Sequence, residues 1–238
     1  MSQILQWSTL VVCGIVALIR IPSAVRGENR SLFYIFVLAT LAMLLSIDPS
    51  YRAFDSWLGS QNYANLILRF LIYVAILLAG HRIARGFDAP RSERLITGPV
   101  GLTVLGLIAV ATVAFFLMAD TAGTDTGLNS LPARSPLNAQ LILAYAAAGR
   151  LYPSFIAACI LPATLRAIRM RLPLGIRSGA VLLSVAFVGM IAGSFFPLIP
   201  RNLGFIEALV NYTAVLTLVL GLTVIWLARV MALRARSR

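Results

Sequence analysis

Seven apolar runs, each long enough to cross a bilayer, divide this chain, and arginine clusters mark their ends in a regular alternation. The runs cover about residues 2–19, 31–47, 61–80, 96–119, 138–165, 178–199 and 205–228. A helix needs about 20 residues to span the hydrocarbon, with a range of about 17–25. The pattern predicts an all-α, polytopic membrane protein: one transmembrane domain over residues 1–238, a bundle of seven helices and no soluble domain. Composition agrees. Sixty per cent of the residues are hydrophobic and 12% charged, against about 45–50% and about 25% in a soluble domain.

The basic residues set the sidedness. All twenty are arginine. Fifteen fall on one side: Arg20, Arg26 and Arg30; Arg82, Arg85, Arg91 and Arg94; Arg166, Arg169, Arg171 and Arg177; Arg229, Arg234, Arg236 and Arg238. Five fall on the other side or in the adjoining halves of the spans: Arg52, Arg69, Arg134, Arg150 and Arg201. Cytoplasmic loops carry the excess of basic residues. The expected topology therefore has the amino end outside and the carboxyl end in the cytoplasm, in a bacterial inner membrane. The first run is no cleaved signal, because its positive cluster follows it and none precedes it. Trp7, Trp57, Tyr63 and Tyr212 fall near the outer interface, and Phe33, Tyr34 and Trp226 near the inner one. The loop 120–137, rich in Gly, Thr, Ser and Pro, reads as mobile.

Several chemistries are set aside. A nucleic-acid binder needs its basic residues on one soluble face; here they flank apolar runs, and anionic lipid headgroups are their expected partners. The chain has no lysine, so no retinal Schiff base can form. His81 is the only histidine, too few for bis-histidine haem, and it lies at the cytoplasmic end of its span. Cys13 and Cys159 sit inside apolar runs and read as inert thiols. There is no metal-ligand spacing and no phosphate-binding glycine loop. No cofactor, metal or enzymatic activity is expected.

Charges within the apolar runs are the informative residues, since each costs about 2.5–3.5 kcal/mol at a helix centre on insertion scales. Counted back from Gly80 at about 1.5 Å per residue, Arg69 falls near the midplane; Arg150 falls in the outer half. Glu207 is expected near the outer boundary of the last span, with Asn211 one turn deeper. Gly149 and Pro153 flank Arg150, and Gly193 and Pro197 recur in the sixth span. Both pairs read as hinges or breaks, because proline removes a helical donor. Gly189 and Gly193 also have the spacing of a packing contact. Two readings stay open. In one, Arg69, Arg150, Tyr152, Glu207, Asn211 and Tyr212 form an outward-facing site for a small anionic or zwitterionic solute. In the other, the arginines are neutralised internally and only hold helices together.

The stretch YRAFDSWLGSQNYANLILRFLIYVAILLAGHRIARG, residues 51–86, resembles a group of actinobacterial seven-span proteins commonly labelled transporters. The opening pattern of one span, IRIPSAVRG and FVLATLAMLLSIDPS is similar too. The matching positions are Asp55, Leu58, Gly59, Asn62, Leu66 and Arg69. The resemblance implies transport. Longer members carry a cytoplasmic domain after the seventh span that residues 1–238 do not contain. An alternative expectation follows: a seven-span sensor or accessory subunit that docks a protein partner through its cytoplasmic arginine loops.

The topology is checked with reporters active only in the cytoplasm. Fusion after Arg238 is expected to be active and fusion after Gly123 silent; the reverse pattern overturns the assignment.

Overall fold

The computed structural model describes residues 2–27, 30–128, 130–196 and 204–236, and all regular structure among them is helical. In chain order the described α-helices are α1 (Ser2–Val25), α2 (Arg30–Leu45), α3 (Asp48–Trp57), α4 (Tyr63–Gly86), α5 (Pro90–Thr97), α6 (Pro99–Met118), α7 (Pro136–Arg169), α8 (Leu174–Gly193) and α9 (Gly204–Arg236). Six of them, α1, α4, α6, α7, α8 and α9, are long and apolar enough to cross a bilayer. This is the architecture of a multi-pass membrane protein. A helix bonds its own backbone groups internally, as a segment in hydrocarbon must.

Three elements depart from the sequence expectation. The second run divides: α2 ends at Leu45, and α3 leaves it at 90°. Ile47 is extended and Pro49 stands in the first turn of α3, where its missing N–H is no loss. With 16 residues α2 reaches about 24 Å, so the pair passes as one span only if its bent halves are counted together. The fourth run starts later than expected: residues 96 and 97 end a short helix, α5, and the span itself is α6. Gly98 precedes Pro99 and is extended, as proline's predecessor prefers. A Cβ on Gly98 would stand 2.3 Å from the Arg94 carbonyl oxygen, and one on Gly101 2.0 Å from that of Ile96. Only glycine fits this corner. The first run, expected to stop at Arg20 and Pro22, continues to Val25 with Pro22 inside the helix. Arg20 thus belongs to a helix and not to a loop.

The helices form a closed ring. α1 packs on α2, α2 on α4, α4 on α7, α7 on α8, α8 on α9, and α9 returns to α1. α6 lies outside the ring on α7, and α5 fits between α4, α6 and α7. Packing is tightest where small residues let backbones approach. A Cβ on Gly179 would meet Ile225 at 2.4 Å, and one on Gly189 would meet Ala214 at 3.2 Å, so the expected glycine contact joins α8 to α9. A Cβ on Gly80 would meet Ile156 at 2.6 Å between α4 and α7. The interior is filled by Phe36, Tyr73, Ile156, Leu183, Phe187 and Leu222, among others.

α1 and α9 run parallel. Gln6 donates to the Tyr212 hydroxyl at 2.5 Å, and the Arg20 guanidinium lies 3.8 Å from the centroid of the Trp226 ring. The two contacts are fourteen residues apart on both helices, or about 21 Å along each axis. Arg20 is 1% exposed, and its guanidinium nitrogens have no hydrogen-bond partner among the described residues. The indole face is therefore its compensating contact. Arg229 donates to the carbonyl of Gly86 at 2.9 Å and so caps α4 at the same end. We call this the arginine end and the opposite one the loop end.

The loop end is strapped rather than mobile, which corrects the reading of residues 120–137. Asn62 has left-handed backbone geometry (φ 58°) at the start of α4 and uses both amide hydrogens and both lone pairs. It donates to the carbonyls of Thr121 (2.9 Å) and Gly123 (2.7 Å) and accepts from the Tyr51 hydroxyl (2.8 Å) and the Asp125 N–H (2.9 Å). The buried Asp55 carboxylate accepts from the N–H groups of Asn62 and Ala64 (3.1 Å each) and from the Thr124 hydroxyl (2.9 Å). A negative charge is favourable at the first turn of α4. Burial, and then the Asp55 charge, push the Tyr51 phenol above its ordinary range, which keeps it a donor. Leu128 and Leu131 anchor the loop against Phe116, Ile142 and Tyr145. Further along, Arg134 pairs with Asp120 at 2.7 Å, and Asn138 donates to the Leu131 carbonyl at 2.8 Å.

Asn62→Ala is expected to destabilise the protein by about 2–4 kcal/mol, since it leaves buried partners unsatisfied. It should also raise amide exchange at residues 121–125. Asn62→Gly, which keeps the backbone geometry but not the bonds, should lose nearly as much. Unchanged exchange in the loop would mean that Asn62 does not hold it.

Candidate functional site

A cluster of ionisable groups from α4, α7 and α9 lies toward the loop end. Arg150 on α7 bonds Glu207 on α9 through one guanidinium nitrogen and one carboxylate oxygen. The pair is partly open: the side chains are 18% and 36% exposed. Arg69 approaches the pair from α4, its guanidinium against Gly149, the residue before Arg150. Among the described residues the cluster holds two cations and one anion.

The position of Arg69 follows from its neighbours. It lies in the second turn of α4, about 9 Å from the start of that helix. This is nearer the loop end than a count from Gly80 suggests, because α4 continues to Gly86. Its guanidinium lies 5.0 Å from the centroid of the Tyr145 ring and rests on Gly149. A Cβ at Gly149 would stand 2.1 Å from the Arg69 Nη1. Gly149 is therefore the seat of a guanidinium. α7 continues unbroken through both Pro153 and Pro162, so the anticipated break at Pro153 is a proline held inside a continuous helix. Tyr145 also donates to Asn65 at 2.9 Å, and Tyr73 shares a hydrogen bond with Thr112 at 2.8 Å. Arg69 and its neighbours are thereby tied to the core and the strapped loop.

The other expected residues divide. Tyr212 lies on α9 near Glu207 and is held by Gln6 of α1. Asn211 is exposed on the same helix, and its Oδ1 stands 3.8 Å from where a Cβ on Gly193 would be. Gly193 is the last helical residue of α8. Pro197 lies outside the described residues. Tyr152 does not join the cluster. Residues two apart on a helix are separated by about 200°, and Tyr152 turns from Arg150 into the core. There it is fully buried, edge-on to Tyr73, and its hydroxyl has no hydrogen-bond partner among the described residues.

Gln6, Tyr145 and Gly149's contact with Arg69 were not legible as parts of this site. Gln6 is one polar residue near an apolar helix end, and Tyr145 is one aromatic among many. A weak signal existed for Tyr145 and Gly149: the four-residue spacing puts them on one face of α7.

Chemically the arrangement can hold an anion against two guanidinium groups while Glu207 takes an ammonium group. Among the described residues, no three His, Cys, Asp or Glu side chains come together in a way that would hold a metal. No family of known proteins, no curated protein and no solved structure matches the chain.

The Arg150–Glu207 bond is measurable as a coupling. Arg150→Ala is expected to lower stability in detergent by about 1–2 kcal/mol, and a double-mutant cycle with Glu207→Gln should give a coupling of about 1 kcal/mol. A coupling near zero would mean that the pair does not hold α7 to α9.

Proposed function

We propose that this is a seven-span protein of a bacterial cytoplasmic membrane, amino end outside, that carries a small anionic or zwitterionic solute through the polar site at the loop end. The observation that carries the reading is the charge imbalance among the described residues at Arg69, Arg150 and Glu207, where the Arg69 guanidinium seats on Gly149 beside the partly open Arg150–Glu207 pair. An unbalanced guanidinium in a bundle needs water or an anion as compensation.

The parallel register of α1 and α9 supports seven crossings. Two parallel spans must be separated by an odd number of crossings. α4, α6, α7 and α8 supply four, so α2 supplies the fifth, with α3 turned along the interface. Trp57, 81% exposed on α3, suits that level of a bilayer. The arginine asymmetry supports the sidedness, and the likeness of residues 51–86 to actinobacterial proteins labelled transporters supports the activity. On this reading the ring is closed at its arginine end, where Arg20 lies under Trp226.

One observation favours a second reading. Side chains from all six ring helices fill the interior, which equally suits a rigid accessory subunit that docks a partner through its arginine loops.

The test uses purified protein in detergent with succinate, glutamate and glycine betaine as probes. At least one is expected to raise the thermal midpoint and to be taken up by proteoliposomes. Arg150→Gln and Arg69→Gln should abolish both effects while the protein stays folded. If no probe acts, and Glu207→Gln restores the stability lost in Arg150→Ala, the cluster is a structural tie and the subunit reading stands.

A further inference from the structure

A second cleft lies at the arginine end, well away from the polar cluster. It opens between α5 and the last turns of α7 and encloses about 650 Å³, within the range of about 300–1,000 Å³ typical of small-molecule sites. Its two walls differ in origin but match in character. α5 contributes Arg91 and Leu95; α7 contributes Phe155 and Arg166. Each wall thus has a guanidinium and an apolar side chain. Asp88, in the turn before α5, adds one negative charge at the rim, which leaves a net charge of +1.

Two features of the cleft's backbone bear on what it takes. Pro162 lines the cleft and has no N–H to give the carbonyl of Ala158, also in its wall. That carbonyl faces a donor-poor helix turn and suits a hydroxyl from outside. Ser92 donates to the Cys159 carbonyl at 2.7 Å and ties α5 to α7, so the cleft is braced and does not depend on its occupant to form.

We propose that this cleft binds an anionic glycerophospholipid. The phosphodiester lies between Arg91 and Arg166, which are suited to a phosphate by their planar donor forks. A headgroup hydroxyl bonds Asp88 or the Ala158 carbonyl. The acyl chain runs along Leu95 and Phe155. A single phosphodiester charge matches the net charge of the rim. α5 lies where α4 ends and α6 begins, the level at which headgroups meet these helices. The inference does not depend on which solute the protein carries, nor on which side of the membrane the arginine end faces.

The test uses the full chain, delipidated in detergent. Phosphatidylglycerol, phosphatidylcholine and soluble glycerol 3-phosphate are added separately, and bound lipid is counted by native mass spectrometry alongside thermal unfolding. Phosphatidylglycerol is expected to remain bound and to raise the midpoint; the other two should do neither. Arg91→Gln with Arg166→Gln should cut retained phosphatidylglycerol about tenfold. Arg26→Gln with Arg171→Gln, which removes the same charge elsewhere in the chain, should not. Ala158→Phe, which fills the cleft without changing charge, should also displace the lipid. Equal loss in both arginine pairs, or full retention in Ala158→Phe, would overturn the site. Stabilisation by glycerol 3-phosphate equal to that by the lipid would overturn the lipid as occupant.

Discussion

The return of α9 to α1 is the contact on which the rest of the architecture depends. It brings together the two ends of the chain's helical order and turns a row of packed helices into a ring. Two polar contacts set its register, Gln6 with Tyr212 and Arg20 with Trp226, one toward each end. Apolar side chains in lipid have little preference for one sliding register over another, since lipid tails are as apolar as leucine. Polar groups do, because each needs a particular partner. The Arg20 contact is the more demanding, since moving α9 by one turn would leave a buried cation with no aromatic face.

Polar interactions are unevenly distributed around this ring. The arginine end relies on one buried cation over an indole and on an arginine that caps α4. The loop end relies on a network in which Asp55 and Asn62 satisfy donors and acceptors from α3, α4 and the connection to α7. That network surrounds Arg69, because Asn65, one turn before it on α4, and Tyr145 of α7, whose ring its guanidinium faces, are tied in as well. The Arg150–Glu207 pair bridges the same end from α7 to α9.

Residues 51–86 take on a physical meaning here. The side-chain polar atoms of Asp55 and Asn62, two residues of that stretch, all bond within the fold. Gly59, at φ 93°, occupies a left-handed position in the turn between them. Their pattern in sequence is thus a pattern of local strapping, and it says nothing of the solute. Arg69, further along the same stretch, reaches the charge cluster.

Apolar run length and arginine placement were sufficient to indicate an all-helical membrane protein and to single out Arg69, Arg150 and Glu207 as candidates, because the cost of charge in hydrocarbon makes such residues stand out along a single chain. What partners those residues have was a matter of tertiary structure. Gly149 resembled a loosened helix turn until the Arg69 guanidinium was seen against it. Arg20 resembled a loop residue because Pro22 follows it, yet α1 absorbs that proline and carries the arginine under a ring more than two hundred residues away. The loop after α6 resembled a mobile one because its Gly, Ser and Thr carry no apolar period, while its order comes from Asn62, some sixty residues earlier. Length and charge act locally and can be read in one dimension; a guanidinium's seat, a ring's closure and a loop's anchor join residues distant in sequence, and only the packed helices bring them together.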